Sequence, residues 1–188
     1  IIRPRGGDFL YTPLEVERME EDIRMCRQLG VDGVVIGCLK ADGSIDIENN
    51  QRLKDAAGDM SVTFHRAFDR CANPMLALEQ LCELGIDRIL TSGQQPTAEQ
   101  GIDLLRKLNK AAAGRIKILA GCGVNENNIS KIHEETGVNE FHFSARIPVK
   151  SHMQYANPNV YMGNKDADES TLMYTSAERV KATISKLK

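Results

Sequence analysis

The chain has 188 residues, 41% hydrophobic and 27% charged, which is enough to bury one sizeable core and has the composition of a single globular domain. A formal net charge of −2 leaves no excess of Lys and Arg for nucleic acid or an anionic membrane surface. No stretch approaches the roughly 20 uninterrupted apolar residues of a membrane span, and the first residues lack a basic segment followed by an apolar run. The reading is a cytoplasmic protein, with the nucleus as an alternative, that engages neither membrane nor nucleic acid.

In chain order, residues 1–3 read as the end of a strand. Thr12-Pro13 then supplies a capping side chain and a first-turn proline for a helix over 14–29. Short β-branched or apolar runs follow at 34–36, 62–64, 88–90, 116–119 and 140–143, each preceded by an amphipathic helical stretch. Asn73-Pro74 opens one such helix over 75–84, and Asn125 or Glu126 opens another over 127–135. The strands recur about every 28 residues, and six of them alternating with helices require crossover connections, hence a parallel sheet. The prediction is an α/β fold, a TIM-type (β/α) barrel in which this chain supplies six of the eight units. From 147 to 175 the pattern dissolves into polar sequence, read as a long mobile lid or tail, before a final helix over 176–186.

Three helix-to-strand joints share a signature: Leu29-Gly30-Val31-Asp32, Leu84-Gly85-Ile86-Asp87 and Thr136-Gly137-Val138-Asn139. Each Gly suits the left-handed position that ends a helix, which assigns these joints to the stability face of the barrel. Polar and glycine-rich residues gather instead after the strands, where such a barrel keeps its chemistry. A doubly wound open sheet is the rival architecture, but no GxGxxG follows the first strand.

Candidate site residues come from these post-strand segments. Arg3 and Arg5 lie two apart, so both guanidiniums point to one side and suit a carboxylate or phosphate; the bland alternative is pairing with Asp8 or Asp69. His65, Arg66 and Asp69 place an imidazole, a cation and a carboxylate around one strand end, a group suited to acid–base work or, equally, to a satisfied structural histidine. Gly121 and Gly123, with Ser92, Ser144 and Arg146, suggest an anion seat ahead of the next helix; a tight turn explains the glycines as well. The five cysteines, Cys26, Cys38, Cys71, Cys82 and Cys122, are odd in number and lack CxxC spacing, so they read as reduced thiols. The chain has no HExxH, no GxSxG and no lysine at a clear strand end.

The strings IRPRGGDF, VTFHRAFD, RILTSG and EFHFSAR, in this order and at these separations, resemble the CutC family, single TIM barrels assigned to copper homeostasis. The resemblance runs from Ile2 to about Gly163 and more loosely to the C-terminus. It implies that two further βα units precede the IRPR segment in family members, so this chain is expected to be N-terminally incomplete, with exposed sheet edges that favour a homo-oligomer. The cysteines proposed for copper(I) in the family belong to those two absent units and carry nothing over. Cys38 and Cys122, each following a strand, are the thiols left as copper(I) ligands, with structural packing as the alternative. Three functions remain open: copper homeostasis with copper(I) bound; a lyase or isomerase acting on a small anionic metabolite, with Arg3 and Arg5 holding the anion and His65 moving a proton; and binding or assembly without turnover.

Overall fold

A computed structural model describes residues 1–157, 159, 160, 163 and 168–187. Its elements run α1 (Pro13–Gln28), β1 (Gly33–Ile36), α2 (Ile47–Ala57), β2 (Ser61–Phe64), a 3-10 turn (Arg66–Arg70), α3 (Pro74–Glu83), β3 (Arg88–Thr91), α4 (Ile102–Ala112), β4 (Lys117–Gly121), α5 (Ile129–Thr136), β5 (Glu140–His142), β6 (Arg146–Lys150), β7 (Thr171–Thr175) and α6 (Ala177–Ser185). Strands β1 to β5 pair in sequence order, all parallel, as an open arc of a (β/α) barrel. No described helix is long and apolar enough to cross a membrane.

Local chemistry explains the helix ends. Thr12 and Glu15 form a reciprocal capping box ahead of Pro13, while Asn73 caps α3 ahead of Pro74. At the repeated joints Gly30, Gly85 and Gly137 take φ of 72°, 68° and 71°. Val31 N–H and Ile86 N–H reach back to Cys26 O and Leu81 O, both at 3.1 Å, closing α1 and α3 in Schellman fashion.

Alternation along the strands sorts the two faces of the sheet. Val34, Ile36, Val62, Phe64, Ile89, Ile118 and Ala120 are buried in one core with Met19, Ile23, Leu53, Leu81, Leu105 and Ile132 from the helices. At the N-terminal end of the arc the strands are tied by charge. Arg88 bonds Glu140 at 2.8 and 3.3 Å and Ser61 Oγ at 3.1 Å, and Lys117 reaches Glu140 at 3.0 Å. The functional end is thereby left to the opposite pole.

Two regions differ from the pattern read in the sequence. Residues 1–3 form no strand: Ile2 N–H donates to Val35 O at 2.8 Å, but Pro4 has no N–H to extend a ladder. The stretch 147–175, read as a loop, begins and ends in paired strands, with β6 and β7 antiparallel and Ile147 opposite Tyr174, Val149 opposite Leu172. Each strand is only five residues, Arg-Ile-Pro-Val-Lys and Thr-Leu-Met-Tyr-Thr, and the polar sequence between them dominates, which is why composition alone reads as loop. Residues 158, 161, 162 and 164–167 of that stretch lie outside the described residues, so the lid reading there is not addressed. Beyond it Ser176 caps α6, which docks through Arg179 bonded to Glu126 at 3.0 Å through two nitrogens, and through Ser130 Oγ to Lys186 O at 2.9 Å.

Candidate functional site

The C-terminal ends of the strands carry two polar groups that part at the end of β2, because His65 and Arg66 point in different directions. Arg66 is exposed and turns toward β3, β4 and β5, whereas His65 is 4% exposed and packs toward β1.

Between them Asp69 acts as a hub. Its carboxylate, with a side chain 7% exposed, accepts from Arg66 Nε at 2.7 Å, Ser92 N at 3.0 Å, Gln94 N at 3.2 Å and Thr91 Oγ1. Two carboxylate oxygens have about four acceptor sites, and these donors fill them, so Asp69 organises the loop after β3 and has no free lone pair for a substrate proton. Ser92 is fully buried in that loop and also donates to Gln95 O.

Beside this hub opens a cleft of about 530 Å³ lined by Arg66, Gly123, Asn125, Ser144, Arg146 and Arg179, with Cys122 and His142 in its wall. Three arginines line one space. Arg66 is held by Asp69 and by Ser92 Oγ at 3.1 Å; burial works against its charge, but Asp69 and Cys122 together outweigh it and the net pKa shift is upward. Arg179 is held by Glu126 and donates to Arg146 O at 2.6 Å. The Arg146 guanidinium makes no hydrogen bond or ion pair among the described residues, which leaves it available to an incoming anion. The loop that floors the cleft is unusual: Cys122, a non-glycine residue, sits at φ 77° next to Gly123 at φ 76°. Such strain concentrates at functional sites. Gly121 lies buried beneath, where an added Cβ would come within 2.5 Å of Leu90 Cδ1.

On the other side of β2, His65 Nδ1 accepts from Ala67 N–H at 3.1 Å, so the backbone rather than Asp69 selects its tautomer. Burial, with the Arg3 charge adding to it, lowers its pKa to about 4. Neutral at physiological pH and a hydrogen-bond donor at Nε2, it is poorly suited to take up a proton. Phe9 packs on the imidazole at 4.9 Å between ring centroids, and the Arg3 guanidinium lies over the Phe9 ring, 4.8 Å from its centroid. Arg5 is committed elsewhere, to Glu15 at 2.6 Å and Asp8 at 2.9 Å, and lies 5.1 Å from the Tyr11 centroid. Arg3 and Arg5 therefore do not act as a matched pair: the bland alternative describes Arg5 and Asp8.

The two candidate copper thiols occupy separate places. Cys38 is 1% exposed, its backbone is clasped by the Asn50 amide at 3.0 and 2.8 Å, and burial, reinforced by Asp46, pushes its thiol up to about 12. Copper(I) binds the thiolate, which this environment opposes. Cys122 is half-buried in the cleft wall and donates to Pro96 O at 3.1 Å. No group of three or more His, Cys, Asp or Glu side chains among the described residues is arranged to hold a metal ion.

The order of motifs along this arc is shared with known proteins. The description of the CutC family matches residues 1–147. The chain belongs to the CutC family. A family protein CutC of Bacteroides thetaiotaomicron is 59% identical over 189 residues, covering 100% of this chain and 76% of that protein. One from Porphyromonas gingivalis is 48% identical over 185 residues, covering 98% and 75%. Among solved structures, a candidate copper homeostasis protein CutC of Streptococcus agalactiae superposes with a TM-score of 0.71 at 38% identity, covering 75% of this chain and 69% of that one. A mandelate oxidase superposes at 0.53 with 15% identity, a likeness of fold alone. In this CutC-family chain, Gly123, Ser144 and Arg146 of the anticipated anion seat come together with Arg66, while Arg3, Arg5 and Asp8 lie apart. Arg179 was absent from the sequence reading, since nothing in the spacing says that a helix 33 residues beyond Arg146 returns to it.

Proposed function

We propose that this CutC-family chain acts in copper homeostasis, the role named for its Streptococcus agalactiae relative, and that its working surface is a cleft for a small carboxylate or phosphate. The observation that carries the reading is the convergence of Arg66, Arg146 and Arg179 with Ser144 and Gly123 on one cavity. Paired guanidiniums and a hydroxyl match the fork geometry of such anions. Binding is favoured over turnover, because His65 is buried and neutral and the Asp69 acceptors are filled. The test is calorimetric titration with inorganic phosphate. Arg146→Ala, which breaks no assigned contact, should keep the fold and weaken binding about tenfold, the worth of one charge-assisted contact. Equal affinity in the variant sinks the reading.

A second reading, direct binding of copper(I), is favoured by the half-buried Cys122 thiol on the cleft wall beside Arg66. Anaerobic competition with a copper(I) chelator decides it: uptake lost in Cys122→Ser supports the site, and uptake unchanged in Cys38→Ser/Cys122→Ser removes both thiols. Assembly of a homo-oligomer is the companion proposal, supported by the exposed apolar side chains Leu172, Met173 and Tyr174 on β7, and light scattering tests it.

A further inference from the structure

A second cavity, of about 480 Å³, opens between the segments that follow residues 1–3, β1 and β2, and it shares no lining residue with the arginine cleft. Its size is that of a small-molecule pocket. Phe9, Leu10, Leu39, Lys40, Gly43 and Arg70 are among the residues that line it.

Main-chain bonds fix the three segments to one another. Leu39 N–H donates to Phe9 O at 2.9 Å, which ties the segment after residues 1–3 to the one after β1. Ala72 N–H donates to Gly43 O at 2.9 Å, which ties that one to the segment after β2. Gly43 is required at the second crossing: its φ is 78°, and an added Cβ would stand 3.3 Å from Ala72 N. The walls are therefore in place before any ligand arrives, which lowers the entropic cost of binding.

The lining combines two chemistries. Phe9, Leu10 and Leu39 are apolar, and Leu10 is left 47% exposed. Lys40 and Arg70 bring positive charge from two different segments, and neither side chain makes a hydrogen bond or ion pair among the described residues. The carboxylates nearby are spent. Asp8 is held by Arg5 at 2.9 Å and accepts from Leu10 N–H at 3.3 Å, while Asp42 accepts from Ser44 N–H at 2.9 Å and Oγ at 2.6 Å. Water alone leaves the apolar wall wetted and the two cations uncompensated, whereas an organic anion satisfies both.

We propose that this cavity is a second ligand site and that it takes a small carboxylate bearing an aromatic or branched aliphatic group. Lys40 and Arg70 engage the carboxylate, and Phe9 and Leu10 cover the apolar group. The arginine cleft, with its hydroxyl, glycine and three arginines, suits a compact hydrated anion instead, so the two sites differ in ligand class. They share the 3-10 turn Arg66–Arg70, whose first residue lines the cleft and whose last lines this cavity.

Amide proton–nitrogen correlation spectra of the full chain, titrated with hydrocinnamate, test this. The amides of Phe9, Lys40 and Gly43 should shift saturably, and those of Ser144 and Arg146 should stay in place. Acetate carries the charge without the apolar group and should bind about tenfold more weakly. The double variant Lys40→Ala/Arg70→Ala removes no assigned side-chain contact, so it should fold as the wild type does and bind hydrocinnamate about tenfold more weakly. Absence of a saturable shift, shifts confined to the cleft, equal affinity in the double variant, or acetate binding as tightly as hydrocinnamate overturns the proposal. Inorganic phosphate reports the cleft at Ser144 and Arg146, so each reading fails on its own amides.

Discussion

Replacing Asp69 by Asn should cost more stability than any exposed polar change in the chain. The carboxylate accepts four hydrogen bonds, from Arg66 Nε, Thr91 Oγ1 and the backbone N–H groups of Ser92 and Gln94 in the loop after β3. Asn offers one acceptor oxygen and turns its NH2 toward groups that are themselves donors, so at least two donors lose their partner. An orphaned buried donor costs about 1–3 kcal/mol, and the exposed side of Arg66 recovers part of its loss from water, so the net expectation is about 3 kcal/mol. That is a large share of the 5–15 kcal/mol typical of a domain. With a urea slope of about 2–3 kcal/mol/M, the unfolding midpoint should fall by about 1–1.5 M. A midpoint within about 0.3 M of wild type would refute the hub and return Asp69 to the list of groups free for chemistry.

Further expectations follow from other residues. His65 has its pKa lowered to about 4 against an ordinary 6.5, so the unfolded chain binds the extra proton first. Stability should be lost as pH falls from about 6.5 to 4, by up to about 3 kcal/mol, and His65→Asn should flatten that part of the profile in urea titrations at pH 7 and 4.5. Gly93→Ala places a Cβ 2.3 Å from the Gly101 carbonyl oxygen at φ 68°, a backbone clash expected to cost about 2–4 kcal/mol, whereas Gly121→Ala meets the movable tip of Leu90 at 2.5 Å and His142 Cβ at 3.3 Å and should cost less, about 1 kcal/mol. Thermal melts separate these two. Iodoacetamide should alkylate Cys122 in the native protein and leave Cys38 until unfolding, as peptide mapping will read.

The fold was legible where one local rule sufficed. The Gly-hydrophobic-Asp or Gly-hydrophobic-Asn joints marked three helix ends because the left-handed Gly is a local demand, and the short apolar runs marked five strands of the sheet. The hairpin escaped because β6 and β7 are short and their pairing spans a polar interval. At the site, Gly123, Ser144 and Arg146 could be grouped because parallel strands bring their C-terminal ends to one pole. The division of labour between neighbours could not be read: His65 and Arg66 are adjacent in sequence, yet one is buried against Phe9 and the other opens onto the cleft. Nor could most of Asp69's partners: apart from Arg66, its donors come from the end of β3 and the loop after it, 22 to 25 residues on.

The base of the hairpin has a consequence for how this architecture varies. Ser176 N–H donates to Ala145 O at 3.0 Å and Arg179 Nη1 to Arg146 O at 2.6 Å, so the chain leaves the arc and re-enters it at one point. An excursion stitched shut at its root is an exchangeable cassette: it can lengthen, shorten or be swapped at little cost in closure entropy, while the strands beneath keep their register. Since Met173 and Arg179 belong to this cassette and its anchor, one rim of the cleft can diversify while Arg66, Gly123 and Ser144 stay in place.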